Sequence, residues 1–230
     1  LVRAADGTLI PVDNLVTLFI SEADSDRLAI KRDIEAGLQR LEKQTLISRN
    51  GDLYFFLTNV ERDVSREIKG VEVSSSEETK LMPEIGYTES LKEQKQYRCT
   101  PYKKDYPFGR LLDGQPFGTR VDQEISVEVI TPLFGNYDAF NEAKLIMYTV
   151  EHYGRILVKL QPESDLEREV RAYLQTDKYI RQKSDVTQSN TFENILRTRQ
   201  EQNRERKGRL KKLLAQMIMD ADFSAMGQTL

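Results

Sequence analysis

Between Asp26 and Lys43 the apolar residues Ile30, Ile34, Leu38 and Leu41 recur at steps of three and four, which places them on one face of an α-helix. Lys31, Arg32, Glu35, Gln39, Arg40 and Lys43 fall outside that stripe. Upstream, Asp13 is placed to cap a short helix carrying Leu15, Val16, Leu18 and Phe19, with Ser21 or Asp24 opening the next. Downstream, "LISRNGDLYFFLT" sets Asn50-Gly51 between two strand-like runs and predicts a hairpin closed by a type I′ turn. Leu53, Phe55 and Leu57 would share one face and Tyr54 and Phe56 the other, so both faces call for cover. Helix, helix, hairpin is the order of a winged-helix unit.

Glu61 to Lys69 reads as a helix closed by Gly70, and Ser74 to Lys95 as polar helix interrupted at Pro83 and Gly86. From Tyr97 to Gly118 the helical period is lost in "YPFGRLLDGQPFG" and its surroundings, which predicts strands and turns joining two domains or lining their boundary. In "EISVEVI" the residues Ile125, Val127 and Val129 alternate onto one side before Thr131 and Pro132 stop the strand. Arg155 to Leu160 reads as a second, more buried strand, Ala139 to Tyr148 as helix, and Pro162 as a first-turn residue of a helix reaching Tyr173.

Asn190 with Glu193 resembles a capping box, and the helical pattern then runs to about Asp222, roughly 50 Å if unbroken. Its first turns carry Phe192, Ile195 and Leu196 and its last turns Leu210, Leu213, Leu214, Met217 and Ile218. The middle, "RTRQEQNRERKGR", has no apolar face, so it is exposed, bridges two bodies, or kinks at Gly208. These elements predict an α+β fold. Its parts are a winged-helix-like domain over 1–70, a helical and irregular connection with short strands over 71–122, a small α/β region over 123–189, and a long basic helix over 190–230.

At 230 residues the chain has room for one large or two modest domains, on a scale of about 100 to 200 residues each. A hydrophobic share of 39%, a charged share of 31% and a mean hydropathy of -0.56 describe a polar globular protein with much solvated helix surface. The net charge of -3, from 34 basic and 37 acidic residues, means that any attraction to nucleic acid must come from local clustering. Cys99 is the single cysteine, so no internal disulfide forms, and no apolar run approaches the ~20 residues of a membrane span. A cytoplasmic, non-membrane location is expected. The start at Leu-Val-Arg, without an initiator Met, predicts a piece of a longer protein.

No G-x-x-x-x-G-K-[ST] is present, so no phosphate cradle can be named, and the glycines of "FGRLLDGQPFG" are explained as turns. One histidine, His152, and one cysteine exclude a His/Cys metal cluster, and "EHYG" at Glu151 reads as structural or solvated. No catalytic residue and no metal ligand is identified. In a winged helix that binds duplex DNA, the helix before the hairpin enters the major groove, which makes Lys31, Arg32, Arg40, Lys43 and Arg49 candidates. Glu35, Glu42 and Asp52 dilute that surface, so packing against another protein domain stands above DNA contact. A second basic window carries Arg197, Arg199, Arg204, Arg206, Lys207, Arg209, Lys211 and Lys212 against Glu201 and Glu205, and the last six of these bases are the candidates for phosphate contact, without the interleaved aromatics that single strands require.

Taken together, "DRLAIKRDIEAGLQRLEKQTLISRNGDLYFFLTNVERDVSREI", "VRAYLQTDKYIRQKS" and "RTRQEQNRERKGRLKKLLAQMIMDADF" resemble the large P-loop ATPase of bacterial BREX phage-defence systems, the BrxC/PglY family, over nearly the whole chain. The resemblance implies a multidomain ATPase using ATP and Mg, with its nucleotide loop nearer the N-terminus. It also implies joint action with the other BREX proteins to restrict phage and support host DNA methylation. No family catalytic residue carries over, because the P-loop pattern is missing here. The expected role is a non-catalytic internal region that transmits nucleotide state through protein contacts, DNA contacts or self-association. Two alternatives stand beside it: a dimeric winged-helix transcription regulator with an effector pocket in "YPFGRLLDGQPFG", and a structural oligomerisation segment.

Overall fold

A computed structural model of the chain describes residues 11–20, 26–86, 96–118, 123–184 and 189–229. The first elements are α1 (Val12–Phe19), α2 (Arg27–Lys43), the hairpin of β1 (Ile47–Asn50) and β2 (Leu53–Phe56), and α3 (Asn59–Lys69). Next come α4 (Ser75–Pro83), a hairpin of β3 (Gln96–Cys99) and β4 (Lys104–Pro107), β5 (Gly109–Leu112) and β6 (Gln115–Pro116). The chain continues through β7 (Ser126–Ile130), α5 (Glu142–Glu151), β8 (Arg155–Lys159), α6 (Leu166–Lys183) and α7 (Asn190–Met219), and closes with β9 (Asp222–Ala225) and β10 (Gln228–Thr229). The fold is mixed α+β. It divides into two compact units, one of residues 1–72 and 175–206, the other of 73–174 and 207–230, so α6 and α7 each contribute to both.

In the first unit the start of α2 is set by Asp26, whose carboxylate accepts from the backbone N–H of Leu28 and Ala29 at 3.0 and 3.1 Å. The cap expected at Ser21 or Asp24 therefore moves to Asp26, and those two residues lie outside the described ones. Asp13 does not cap α1, because Pro11 precedes that helix; Asp13 instead puts its charge in the first turn. Thr58 and Glu61 form a reciprocal capping box on α3. The hairpin pairs Ile47 with Phe56 and Asn50 with Leu53, which leaves Gly51 and Asp52 as the turn. Of these, Gly51 alone has positive φ, 64°, the pattern of a type II′ turn, not the expected type I′ centred on Asn50. Asn50 is held in the strand by its side chain, which donates to Glu205 Oε2 at 2.7 Å.

The core of this unit is Val64, Ile68 and Tyr179, with Val71, Phe192, Ile195 and Leu196 packed against them. Tyr179 donates its hydroxyl to Glu67 Oε2 at 3.0 Å, and Lys183 reaches the same oxygen at 3.1 Å. Those donors, with Lys183 first, hold the Glu67 carboxyl below its ordinary range. Helix α7 begins one residue before the capping box read from sequence: Phe192 N–H donates to Ser189 Oγ, so Ser189 and not Asn190 is the cap. The helix is unbroken for 30 residues and passes through Gly208.

The second unit is organised on a six-stranded sheet in the order β10-β9-β8-β7-β5-β6. Strands β5, β7 and β8 are parallel, and β6, β9 and β10 add antiparallel pairs at the two edges. Of the short strands expected in the connection, β5 joins this sheet and is buried along its length, with Leu112 paired to Val129. Asp113 and Gly114, both at positive φ (50° and 77°), close the β5–β6 hairpin, as Met226 and Gly227 close β9–β10. That last hairpin corrects the helix drawn to Asp222. Helix α6 starts at Leu166, not at Pro162, and extends to Lys183. The helix read over Ser74 to Lys95 is α4, and residues 87–95 lie outside the described ones.

Strand β7 is buried on both faces, as parallel strands are, and not on one face as the alternation of "EISVEVI" suggested. On one side Val129 and Val158 join a core of Leu81, Met82, Leu166, Val170, Leu210 and Leu214, among others. On the other, Ile130 and Leu157 pack with Phe140 and Leu145. Glu128, 1% exposed, sits in this strand and accepts from Gly114 N–H at 3.1 Å, Tyr148 hydroxyl at 3.0 Å and Arg155 Nη1 at 3.0 Å. Beside it, Asp113 accepts from the N–H and hydroxyl of Thr131 at 2.7 and 2.8 Å. Burial nevertheless pushes the Asp113 carboxyl up to about 6 from 3.8.

Two outcomes follow from this packing. Gly154 has φ +82°, and a Cβ there would meet the Glu124 carbonyl oxygen at 2.0 Å. Gly154→Ala is expected to cost about 2–4 kcal/mol, read as a lower urea midpoint. For Asp113, the folded state keeps a proton between pH 3.8 and about 6 that the unfolded chain has lost. Stability contributed by the protonated form is therefore complete below that window and is lost as pH rises through it. Asp113→Asn should remove this fall, of about 2–3 kcal/mol by linkage, in urea titrations compared at the two ends of the window.

Candidate functional site

The buried polar cluster around Glu128 has its bonding spent internally. Arg155 Nη1 reaches both Glu128 and the Tyr148 hydroxyl, the latter at 2.8 Å, and His152 stacks on the Tyr148 ring at 4.2 Å. Burial first, then Glu128, raises the Tyr148 phenol above its ordinary value, so it stays a donor. With three donors converging on this carboxylate at 1% exposure, its job is to hold the sheet. Among the described residues no group of three His, Cys, Asp or Glu is placed to hold a metal ion, and no helix is long and apolar enough to cross a membrane.

The sequence-predicted basic residues separate into those already engaged and those displayed. Lys31 pairs with Asp13 at 3.1 Å, and Arg49 donates to the Gly51 carbonyl at 2.7 Å and lies 3.9 Å from Asp52. Arg32, Arg40 and Lys43 are exposed on α2, within about 80° of one another around the helix axis, so they share one flank, with Arg40 Nε donating to the Ala36 carbonyl at 3.3 Å. On α7, Arg206 donates to Asn203 at 3.1 Å, Lys207 pairs with Glu84 at 2.9 Å, and Arg209 lies 3.7 Å from Glu169. Lys211 is half-buried, while Arg204 and Lys212 are exposed. Arg204 and Arg206 belong to the first unit and Lys207 to Lys212 to the second. The window that is continuous in sequence is therefore largely consumed by intramolecular pairs.

A more specific arrangement lies within the first unit. Phe55, Phe56, Leu57, Glu61, Ile195, Thr198, Arg199 and Gln202 line a hollow of about 190 Å³. Arg199 is only 8% exposed, and its guanidinium donates to Ser65 Oγ and Gln202 Oε1, both at 3.0 Å. Burial lowers its pKa, and the charge of Glu61 offsets part of that. In the sequence, Arg199 is one of several basic residues on a stretch without an apolar face. Its spacing of three and four from Ile195 and Leu196 was the available signal.

The stretch "YPFGRLLDGQPFG", in which the transcription-regulator alternative expects an effector pocket, builds β4, β5 and β6, and a void of about 10 Å³ touches its Leu112. The glycines do not fit a nucleotide triphosphate. Gly114 closes a hairpin, and a Cβ on Gly118 would meet Arg110 Nη2 at 2.7 Å. Gly114 runs into β6 and not into a helix whose N–H groups could cradle phosphates.

A model of the family described as "BREX ATP-binding protein BrxC 4th domain with six-stranded beta sheet" matches residues 71–230. No solved structure matches the chain. The sheet in that description corresponds to the six strands from β5 to β10, all of which lie inside the matched residues. With that match covering more than half of the sequence, and with the sheet present, the chain belongs to the BrxC family of BREX phage-defence systems, of which residues 71–230 are the fourth domain.

Proposed function

We propose that this chain is a non-catalytic region of a BREX defence ATPase in the cytoplasm. It makes protein contacts with other BREX components and passes nucleotide state from an ATP- and Mg-binding site elsewhere in the parent. The observation that carries the contact role is the display of Leu18, Phe19 and Leu28, at 76%, 65% and 67% exposure, on the packed helices α1 and α2. Large apolar side chains left in water on a small unit favour burial against a partner. Relay of nucleotide state is supported by α6 and α7, each of which contributes residues to both units. Self-association through the same apolar residues is the variant of this role that a structural oligomerisation segment would have.

DNA contact is a second role, favoured by Arg32, Arg40 and Lys43 on the free flank of α2 and by the helix–helix–hairpin order, which is winged-helix-like. Their number limits it to backbone attraction without base specificity.

In co-purification from cells carrying the other BREX proteins, Phe19→Ser with Leu28→Ser is expected to cut capture by about tenfold or more while leaving the melting temperature within a few degrees. Capture unchanged by the double variant removes the contact role from this surface. On random duplex, binding should fall with salt at a log–log slope of about -3 and flatten for Arg40→Ala with Lys43→Ala. Absence of binding at low salt removes the DNA role.

A further inference from the structure

We propose that the hollow formed by β2, α3 and α7 is a socket for an acidic side chain, aspartate or glutamate, of a partner protein. This inference rests on the reading of the chain as a contact module and names the chemistry of the contact.

A guanidinium withdrawn from water is costly unless an anion or a full set of acceptors replaces its hydration. Arg199 has no carboxylate in ion-pair contact among the described residues. Its hydrogen-bond acceptors are the neutral Ser65 hydroxyl and the neutral Gln202 amide oxygen. Glu61 acts on it only at a distance, since its Oε2 accepts from the Thr58 N–H and hydroxyl in the α3 capping box, at 2.7 and 2.8 Å. Glu61 thus tempers the field of Arg199 without satisfying its donors.

The shape and lining choose among anions. At about 190 Å³ the hollow is smaller than the roughly 300 Å³ at which sites for nucleotides and comparable ligands begin, so it admits a side chain and not a whole ligand of that size. Phe55, Phe56, Leu57 and Ile195 offer apolar wall for the methylenes of an acidic residue. A single guanidinium matches the two oxygens and single charge of a carboxylate, and with Glu61 also in the lining and no second Lys or Arg there, the hollow is poorly matched to a doubly charged phosphate. Phe56 and Val60, 49% and 44% exposed at β2 and α3, are placed to be covered by the backbone that carries such a residue.

The test follows the Arg199 Nε–Hε resonance of the full chain during titration with N-acetyl-glutamate methylamide, its aspartate and glutamine counterparts, and inorganic phosphate. A saturable shift with the carboxylates, about tenfold weaker or absent with glutamine and absent with phosphate, is expected. An equal response to glutamine, a stronger response to phosphate, or no response to the carboxylates overturns the socket. Arg199→Met should lose the carboxylate response in the signals of Thr198 and Gln202 and remain folded, because an apolar residue of similar length removes a buried charge. If that variant unfolds, the wild-type titrations still decide. Capture of other BREX proteins without any carboxylate response disproves the socket alone. A carboxylate response in a chain that captures no BREX protein disproves the assigned partner.

Discussion

A carboxylate in the middle of the sheet constrains much of the second unit. Glu128 lies in β7, which has parallel neighbours on both sides and packed side chains on both faces. A charge in that position is tolerable only with donors that replace water. They come from three places: the turn after β5, helix α5 and strand β8. One residue therefore ties together the strand order, the seat of the crossover helix and the hairpin that begins the sheet. Apolar filling alone would leave these elements freer to slip, since a buried Val or Leu accepts many neighbours while a buried carboxylate accepts few.

The same economy explains why α7 is polar in its middle. Its segment without an apolar face includes Asn203 and Arg199, both buried, and Lys207 and Arg209, which reach Glu84 and Glu169. Glu205 receives the Asn50 amide and so helps place the β1–β2 turn. Polar residues that look solvated in a linear reading are acting as internal connectors. This is why a basic window of eight side chains in sequence yields only a few displayed cations in three dimensions.

Function within the phage-defence system fits a molecule whose polar chemistry is closed and whose surface is not. The sheet unit spends its acids and bases on itself. The first unit shows Leu18, Phe19 and Leu28 to water and keeps one buried guanidinium beside a partly apolar hollow, both costly unless something else completes them.

What the sequence determined by itself was local. The periodic helix at α2, the capped helix at α3, the Asn-Gly hairpin to within one residue, the buried strand at β8, the missing nucleotide loop and the family resemblance are all carried by residues near one another in the chain. Tertiary structure alone decided that the strand at "GRLL" pairs inside the six-stranded sheet, that "DFSA" is a strand and not the end of a helix, and that Arg199 is buried. It also moved the hairpin turn to Gly51-Asp52 by tying Asn50 to Glu205. The reason is the range over which the interactions act. Helix periodicity and capping compare neighbours a few residues apart, whereas Leu112 meets Val129 and Leu157 meets Ser224 only once the chain has folded back on itself.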